Sequence, residues 1–462
     1  MTKYFPLSAI AVAVAAGWAL PAQAQSADNA AVQQELAAMR AQMGQMAARI
    51  DTLEGQLTAA QVKADAASTA VAAIPAQVAP SASAKPATEV TWDGAPRLAT
   101  KDGWSFKPRG RLQVDVAGVD APDGIAGNKS LGIGTELRRA YLGLDGAMPG
   151  GFGYRIEADF ANSAVDLTDL YLTYKASPKL TVTLGQHKPF QSLEDMTSDL
   201  FTSFMERAAF NTGFGFERRV GLSAAYSGKL VLLQGGVFTD NAADLGLDSN
   251  NSYSLDGRMV FMPRLGKGQL HLGGSAHFRD FNDASATARY RVRPFVHTTD
   301  LRLIDTRAFS ATGERALGAE LAYINGRFHA TAESQWMTAI RPGLANPTFN
   351  GGYAEAGYLL TDDTTAYKGG VYDRIRPKHP VGQGGLGAVQ VNLRYDWLDL
   401  NSGAITGGRQ QVAGVALLWI PTDYVRFNLN YGHLWINDAA APAGSDTDYT
   451  ANALGLRAQF DF

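Results

Sequence analysis

The 462-residue chain contains no cysteine. Disulfide frameworks, thiolate metal sites and cysteine nucleophiles are excluded together. No segment beyond the N-terminus approaches the ~20 uninterrupted apolar residues that a membrane-crossing helix needs. A membrane form of this chain would therefore have to cross with strands. Histidine is sparse, and His187, His271, His277, His297, His329, His379 and His433 are scattered. His271 and His277 could share one strand face, but no serine or carboxylate beside them marks a triad, and their spacing is not a metal signature. The sequence thus offers no catalytic constellation, no metal site and no cofactor motif, and it is read as a non-enzyme. A formal charge of −3 leaves no basic surplus for nucleic acid.

Glycine, at 49 residues, and the aromatics, with 21 Phe, 17 Tyr and 7 Trp, are abundant. That combination suits a turn-rich, all-β chain whose rings anchor strands at an interface. The start, MTKYFPLSAIAVAVAAGWALPAQAQ, has Lys3, an apolar stretch and a small-residue site ending at Ala24. This is the layout of a cleaved signal peptide over residues 1–24, not an anchor, because Pro6 and Gly17 break a run that is already short. In the next segment, 25–63, Leu36, Met43, Ile50 and Leu57 alternate with Val32, Met39, Met46 and Leu53 at a strict heptad spacing. A lone amphipathic helix would also bury one stripe, but the 3.5 period favours a self-associating coiled coil. Residues 64–105 open on aperiodic Ala, Ser and Pro and read as a linker.

From 106 to 462 the pattern has period two. In AVQVNLRYDWLDL, Val389, Val391, Leu393, Tyr395 and Trp397 face one way and Gln390, Asn392, Arg394 and Asp396 the other. YRIEADF and VRFNLNYGHLW repeat the alternation. A soluble sandwich alternates as well. Aromatics at the ends of the apolar stripe and charges at mid-strand on the opposite face point instead to a transmembrane barrel with lipid outside and water inside. The ending ALGLRAQFDF alternates up to Phe462. Short connections at 146–151, 176–179, 226–229, 262–268, 325–327 and 420–423 must share one side, the periplasmic one. Assigning 280–314 wholly to an external loop keeps the strand count even. The expectation is an all-β, 16-stranded antiparallel barrel preceded by the helical coiled coil, with long segments at 186–216, 280–314 and 362–386.

Those three segments carry the cations. Arg289, Arg291 and Arg293 in ARYRVRPF stand at every second position, so an extended chain aims all three the same way. Such a stair of guanidiniums suits phosphate or carboxylate oxygens, in a lumen or on lipopolysaccharide. Lys368, Arg374, Arg376 and Lys378 form a second basic segment on the periplasmic side, and the first long segment contributes Lys188, Ser192 and Arg207. The stretch GIGTELRRAYLGLD breaks the alternation. Counting the preceding Leu131, its apolar positions are Leu131, Ile133 and Leu137 before the paired arginines, then Ala140, Leu142 and Leu144 after them. A β-bulge at Arg138 and Arg139 would reconcile the two phases and turn both guanidiniums inward; the alternative places Arg138 at a rim, snorkelling, with Leu131 and Ile133 in a loop.

RRAYLGL, YRIEADF, DLYLTYK, LGQHKPFQSLE, FMERAAF, RYRVRP and NALGLRAQFDF together resemble the phosphate-selective porin O and P family over 106–462. The resemblance implies a homotrimeric outer-membrane channel for passive uptake of phosphate, polyphosphate or other small anions, without cofactor, set among outer-membrane lipid and lipopolysaccharide. It implies that Arg111, Arg138, Arg139, Tyr141, Lys188 and Ser192 line an anion-binding constriction tempered by Asp169. Arg289, Arg291 and Arg293 would be rungs of an arginine ladder. His187 and Gln191 depart from the family pattern, which has an aromatic and a small hydroxyl residue there. A porin without phosphate specificity and a structural tether acting through the coiled coil are the alternatives.

Overall fold

The computed structural model describes residues 88–125, 131–161, 164–246 and 250–462, with Gly55, Thr58 and Val62 as isolated helical positions. The expected signal peptide lies outside the described residues, as do the coiled coil, apart from those three positions, and most of the linker.

Among the described residues, sixteen long strands close into one antiparallel barrel. In chain order they are β1 (Ser105–Asp120), β2 (Gly132–Met148), β3 (Phe152–Asp159), β4 (Asp166–Ser177), β5 (Leu180–His187), β6 (Arg219–Ser227), β7 (Val231–Phe238) and β8 (Tyr253–Phe261). They continue with β9 (Gly268–Asp280), β10 (Gly313–Asn325), β11 (Phe328–Ile340), β12 (Thr348–Leu359), β13 (Ala388–Ser402), β14 (Ile405–Thr422), β15 (Val425–Asn437) and β16 (Tyr449–Asp461). Each pairs with its neighbour in sequence, and β16 returns to β1, with Asn452 opposite Asp120 and Asp461 opposite Arg111. Closure leaves no open edge in the wall, so the backbone groups of every strand find partners.

The faces are inverted relative to a soluble protein. On β13, Leu393 and Tyr395 are exposed on the outside, whereas Asn392 and Arg394 are buried on the inside. Ring pairs mark the rim of the outer face: Phe152 with Tyr174 at 4.9 Å and Trp419 with Phe427 at 5.3 Å. The expected short turns share one rim. Residues 281–312 form a loop as expected, with only two-residue ladders inside it, Thr287–Ala288 on Phe309–Ser310 and Arg291–Val292 on Ile304–Asp305.

Residues 89–99 differ from the expected linker. Glu89–Asp93 and Ala95–Ala99 pair as a hairpin, and the second strand joins the start of β1 through Leu98 opposite Phe106. Asp93-Gly94 makes the turn, with Gly94 at φ +76°, a conformation that glycine adopts without strain.

Much of the interior is filled. Tyr290, Val292, Val296, Leu303 and Ile304 of the 281–312 loop pack against Leu398, Leu400, Val412, Leu434 and Ile436 of the wall. Each such aliphatic, fully buried, contributes roughly 1.5–3 kcal/mol. On the short-turn side, a hairpin of Tyr367–Lys368 and Val371–Tyr372 enters the barrel and meets Leu193, Ala322 and Ile324. A cavity remains beside β1–β5.

Candidate functional site

The segment 188–218 crosses the interior and is stitched to the opposite wall. It holds two short helices, α1 (Leu193–Met196) and α2 (Ala209–Gly213). The carboxylate of Glu333 on β11 accepts the backbone N–H groups of Leu193 at 2.7 Å and Glu194 at 2.8 Å, and also the Tyr353 hydroxyl at 2.7 Å. Asn430 on β15 accepts the Met205 N–H at 2.7 Å, and Arg426 donates to the Leu200 carbonyl at 2.7 Å. Inward polar side chains of the wall thus satisfy a loop backbone that would otherwise be orphaned. Ser192 belongs to this scaffold. Its hydroxyl caps α1 by accepting from Asp195 N–H and donates to Asn211 at 2.7 Å, and it does not line the cavities described below.

The paired arginines sit on a bulge. Gln113 faces Arg139 and Val114 faces Leu137, so Arg138 is the extra residue. Leu137 and Leu142 remain outside, while both guanidiniums turn inward. Arg138 holds Glu206 through two contacts of 3.0 Å. Arg139 reaches Asp199 at 2.6 Å and Gln113 at 2.8 Å. Arg111 also pairs with Asp199 and lies 4.6 Å over the Tyr141 ring. Burial disfavours ionised Asp199 and Glu206, but Arg111 and Arg139 for the first, and Arg138 and Arg457 for the second, hold both carboxyls well below the usual range.

A second bulge stands on β4, where Glu157 faces Asp169 and Ala158 faces Leu167. Thr168 is the extra residue, and it and Asp169 both point inward. Asp169 receives Arg218 at 2.6 Å and lies 3.5 Å from Arg155, whose guanidinium is 5.7 Å over the Tyr171 ring.

Lys188, Arg207 and Arg218 converge between these features. The Lys188 ammonium donates to the Asp195 carbonyl at 2.6 Å and carboxylate at 3.1 Å. Arg207 braces the loop through the carbonyls of Glu194 at 3.1 Å and Thr197 at 2.9 Å. Burial first, then the positive charges of Arg207 and Arg218 against the opposing pull of Asp195, push Lys188 down to about 8.

Three cavities are lined in part by this cluster. The inner one, about 490 Å³, is lined by nine Lys and Arg side chains, among them Arg111, Lys188, Arg207, Arg218, Arg374 and Arg376, against five aspartates. A second, about 160 Å³, shares Arg207 with it and holds Arg138, Arg291, Arg293 and Arg302. A third, about 490 Å³, shares Arg218 with the inner cavity and carries Arg289, Arg291 and Arg302. Arg207 and Arg218 are therefore the cluster side chains that the inner cavity shares with the other two.

The 289–293 stair has the expected facing, with Tyr290 and Val292 buried between its arginines. Arg289 pairs with Asp305, and Arg293 with Asp300 at 2.8 Å. Arg291 and Arg302 form no ion pair among the described residues, and burial followed by the charges of Arg293 and Arg291 lowers Arg302 to about 10. The loop is docked by Phe295, at φ +65°, whose ring fills a notch over Gly414 and Gly432. These two glycines are directly opposite one another on β14 and β15.

On the short-turn side Arg374 pairs with Asp461 and lies 5.1 Å from both the Phe201 and Tyr424 rings. Arg376 pairs with Asp423, Lys378 lies 3.4 Å from Asp362, and Lys368 is exposed on its hairpin. Arg218 and Arg302 had escaped sequence reading. Arg218 was detectable, because Arg218-Arg219 is a second arginine pair at a strand start; Arg302 carries no comparable signal.

Comparison with known proteins agrees with this architecture. The chain is 45% identical over 451 residues to an uncharacterised protein of Caulobacter vibrioides, covering 94% of this chain and 90% of that one. Among solved structures it is similar to a loop L8 deletion form of OmpT, an outer membrane protein of Vibrio cholerae, with TM-score 0.52, 11% identity and coverage of 78% and 100% of the two chains. It is likewise similar to OprB of Pseudomonas putida, with TM-score 0.51, 12% identity and coverage of 78% and 94%. Residues 106–462 match the family of phosphate-selective porin O and P. The chain belongs to that family, and it is a porin of the outer membrane.

Proposed function

We propose that this porin is a passive, anion-selective channel for inward movement of phosphate or polyphosphate, constricted by its inward-folded basic loops. The observation that carries the reading is the convergence of Lys188, Arg207 and Arg218, of which Arg207 and Arg218 each line two cavities. In this reading Arg289, Arg291, Arg293 and Arg302 collect anions at the outer mouth. Arg111, Arg138, Arg139 and Tyr141 form and brace the constriction, with Asp169 tempering its charge. Lys368, Arg374, Arg376 and Lys378 release the anion toward the periplasm. Flow follows the concentration gradient and needs no cofactor.

A homotrimer is part of the proposal: the heptad seam before the barrel supports self-association, and the number three comes from the family resemblance. The second reading is an anion porin without phosphate preference. It is favoured by the pairing of Arg111, Arg138, Arg139 and Arg218 with carboxylates, which leaves fewer donors for an oxyanion. Reversal potentials of the reconstituted protein across a planar bilayer under a salt gradient test the shared claim. An anion-selective potential is expected; a cation-selective one would overturn both readings.

A further inference from the structure

The hairpin of residues 89–99 lies outside the closed wall and has one apolar face. Val90 is opposite Leu98 and Trp92 opposite Pro96, so these four side chains share a side of the sheet. Trp92 is 74% exposed, Val90 62% and Leu98 41%. The other side carries Thr91 and Arg97.

The pairing fixes where that apolar side looks. Leu98 is directly opposite Phe106, and Phe106 stands on the lipid face of β1 with Leu112, Val114 and Val116. The pairing of β16 with β1 ends where Phe462 exchanges backbone hydrogen bonds with Gly110, and the hairpin takes the next place on that flank, below the ends of the last two strands. Its turn is held there by Asp93, which accepts the Tyr424 hydroxyl at 3.1 Å and lies 3.8 Å from Lys107. The apolar face of the hairpin therefore continues the lipid-facing surface of the barrel past its periplasmic rim.

We infer that the hairpin is an interfacial foot, seating Trp92 and Val90 in the phospholipid surface of the periplasmic leaflet. The occupant follows from continuity. A tryptophan beside the rim of a lipid-facing wall is at the depth where indole is most stable, with its ring among acyl chains and its N–H among headgroups. Thr91 and Arg97, on the opposite side, stay in water. This role is independent of which solute the channel passes.

The cysteine-free chain allows single nitroxide labels on the full-length protein. Val90→Cys, Thr91→Cys, Trp92→Cys and Arg97→Cys, each labelled and reconstituted in phosphatidylethanolamine–phosphatidylglycerol vesicles, would be scored for collisions with oxygen and with a water-soluble nickel chelate. The ratio of oxygen to nickel accessibility is expected to be several-fold higher at positions 90 and 92 than at 91 and 97. Equal, water-dominated ratios at all four positions would overturn the inference. Protection of 90 and 92 from both reagents, with spin–spin broadening that vanishes on mixing with unlabelled protein, would overturn it in favour of a second copy of this chain.

Discussion

Arg138 meets Glu206 through two contacts of 3.0 Å, joining a bulge in the wall to the loop that crosses the lumen. The same carboxylate also receives Arg457 at 2.7 Å. Arg138→Ala should leave Glu206 held by Arg457 but remove a cation from the 160 Å³ cavity. Phosphate block of the chloride current should weaken about tenfold, equivalent to about 1.4 kcal/mol. Unchanged block in both Arg138→Ala and Arg139→Ala would remove the pair from the anion path.

Deleting Arg138 altogether should be tolerated by the wall. Leu137 and Arg139 would become ordinary neighbours, one outside and one inside, and the two halves of β2 would keep their faces. Deleting Leu393 from the regular strand β13 should instead turn part of that strand inside out. Assembly of heat-modifiable barrel in the outer membrane is expected for the first deletion and not for the second.

Lys188 supplies a pH dependence with a defined sign. Its ammonium is pushed down to about 8, so the charge is present at neutral pH and is lost as pH rises through that value. Anion preference, read from reversal potentials, should fall between about pH 7 and pH 9. Lys188→Arg should flatten the profile across this window, because a guanidinium stays protonated there.

Gly432 tests how the outer arginines are placed. A Cβ there would come within 2.6 Å of the Phe295 ring, so Gly432→Val should expel the ring from its notch. With the dock lost, the strained backbone at Phe295 has no compensation, and the 281–312 loop should loosen. Faster tryptic cleavage after Arg289 or Arg291 is expected, with noisier single-channel current and an intact barrel.

The barrel was legible because lipid outside and water inside impose a strict period of two over long stretches, as in Val389 to Trp397. The arginine bulge was legible for the same reason, as a break in that period at Arg138 and Arg139. The Thr168 bulge left an identical mark, with Val165 and Leu167 in one phase and Leu170 and Leu172 in the other. The 89–99 hairpin was also signalled, by Asp93-Gly94 between Val90-x-Trp92 and Pro96-x-Leu98. What the sequence did not disclose is the path of the long segments. The pairing of Asp199 with Arg139 joins residues far apart in the chain, and no local pattern specifies it. The family resemblance implies an anion ligand at Ser192, whereas its hydroxyl caps α1.

The most direct test of the account is a titration of chloride current with phosphate through the reconstituted protein, in the wild type and in Lys188→Ala. The account predicts block by phosphate on the wild-type channel and, on removal of the Lys188 ammonium, a roughly tenfold higher concentration for half block. A chloride current that phosphate leaves untouched, or block that is identical in the two proteins, would contradict it.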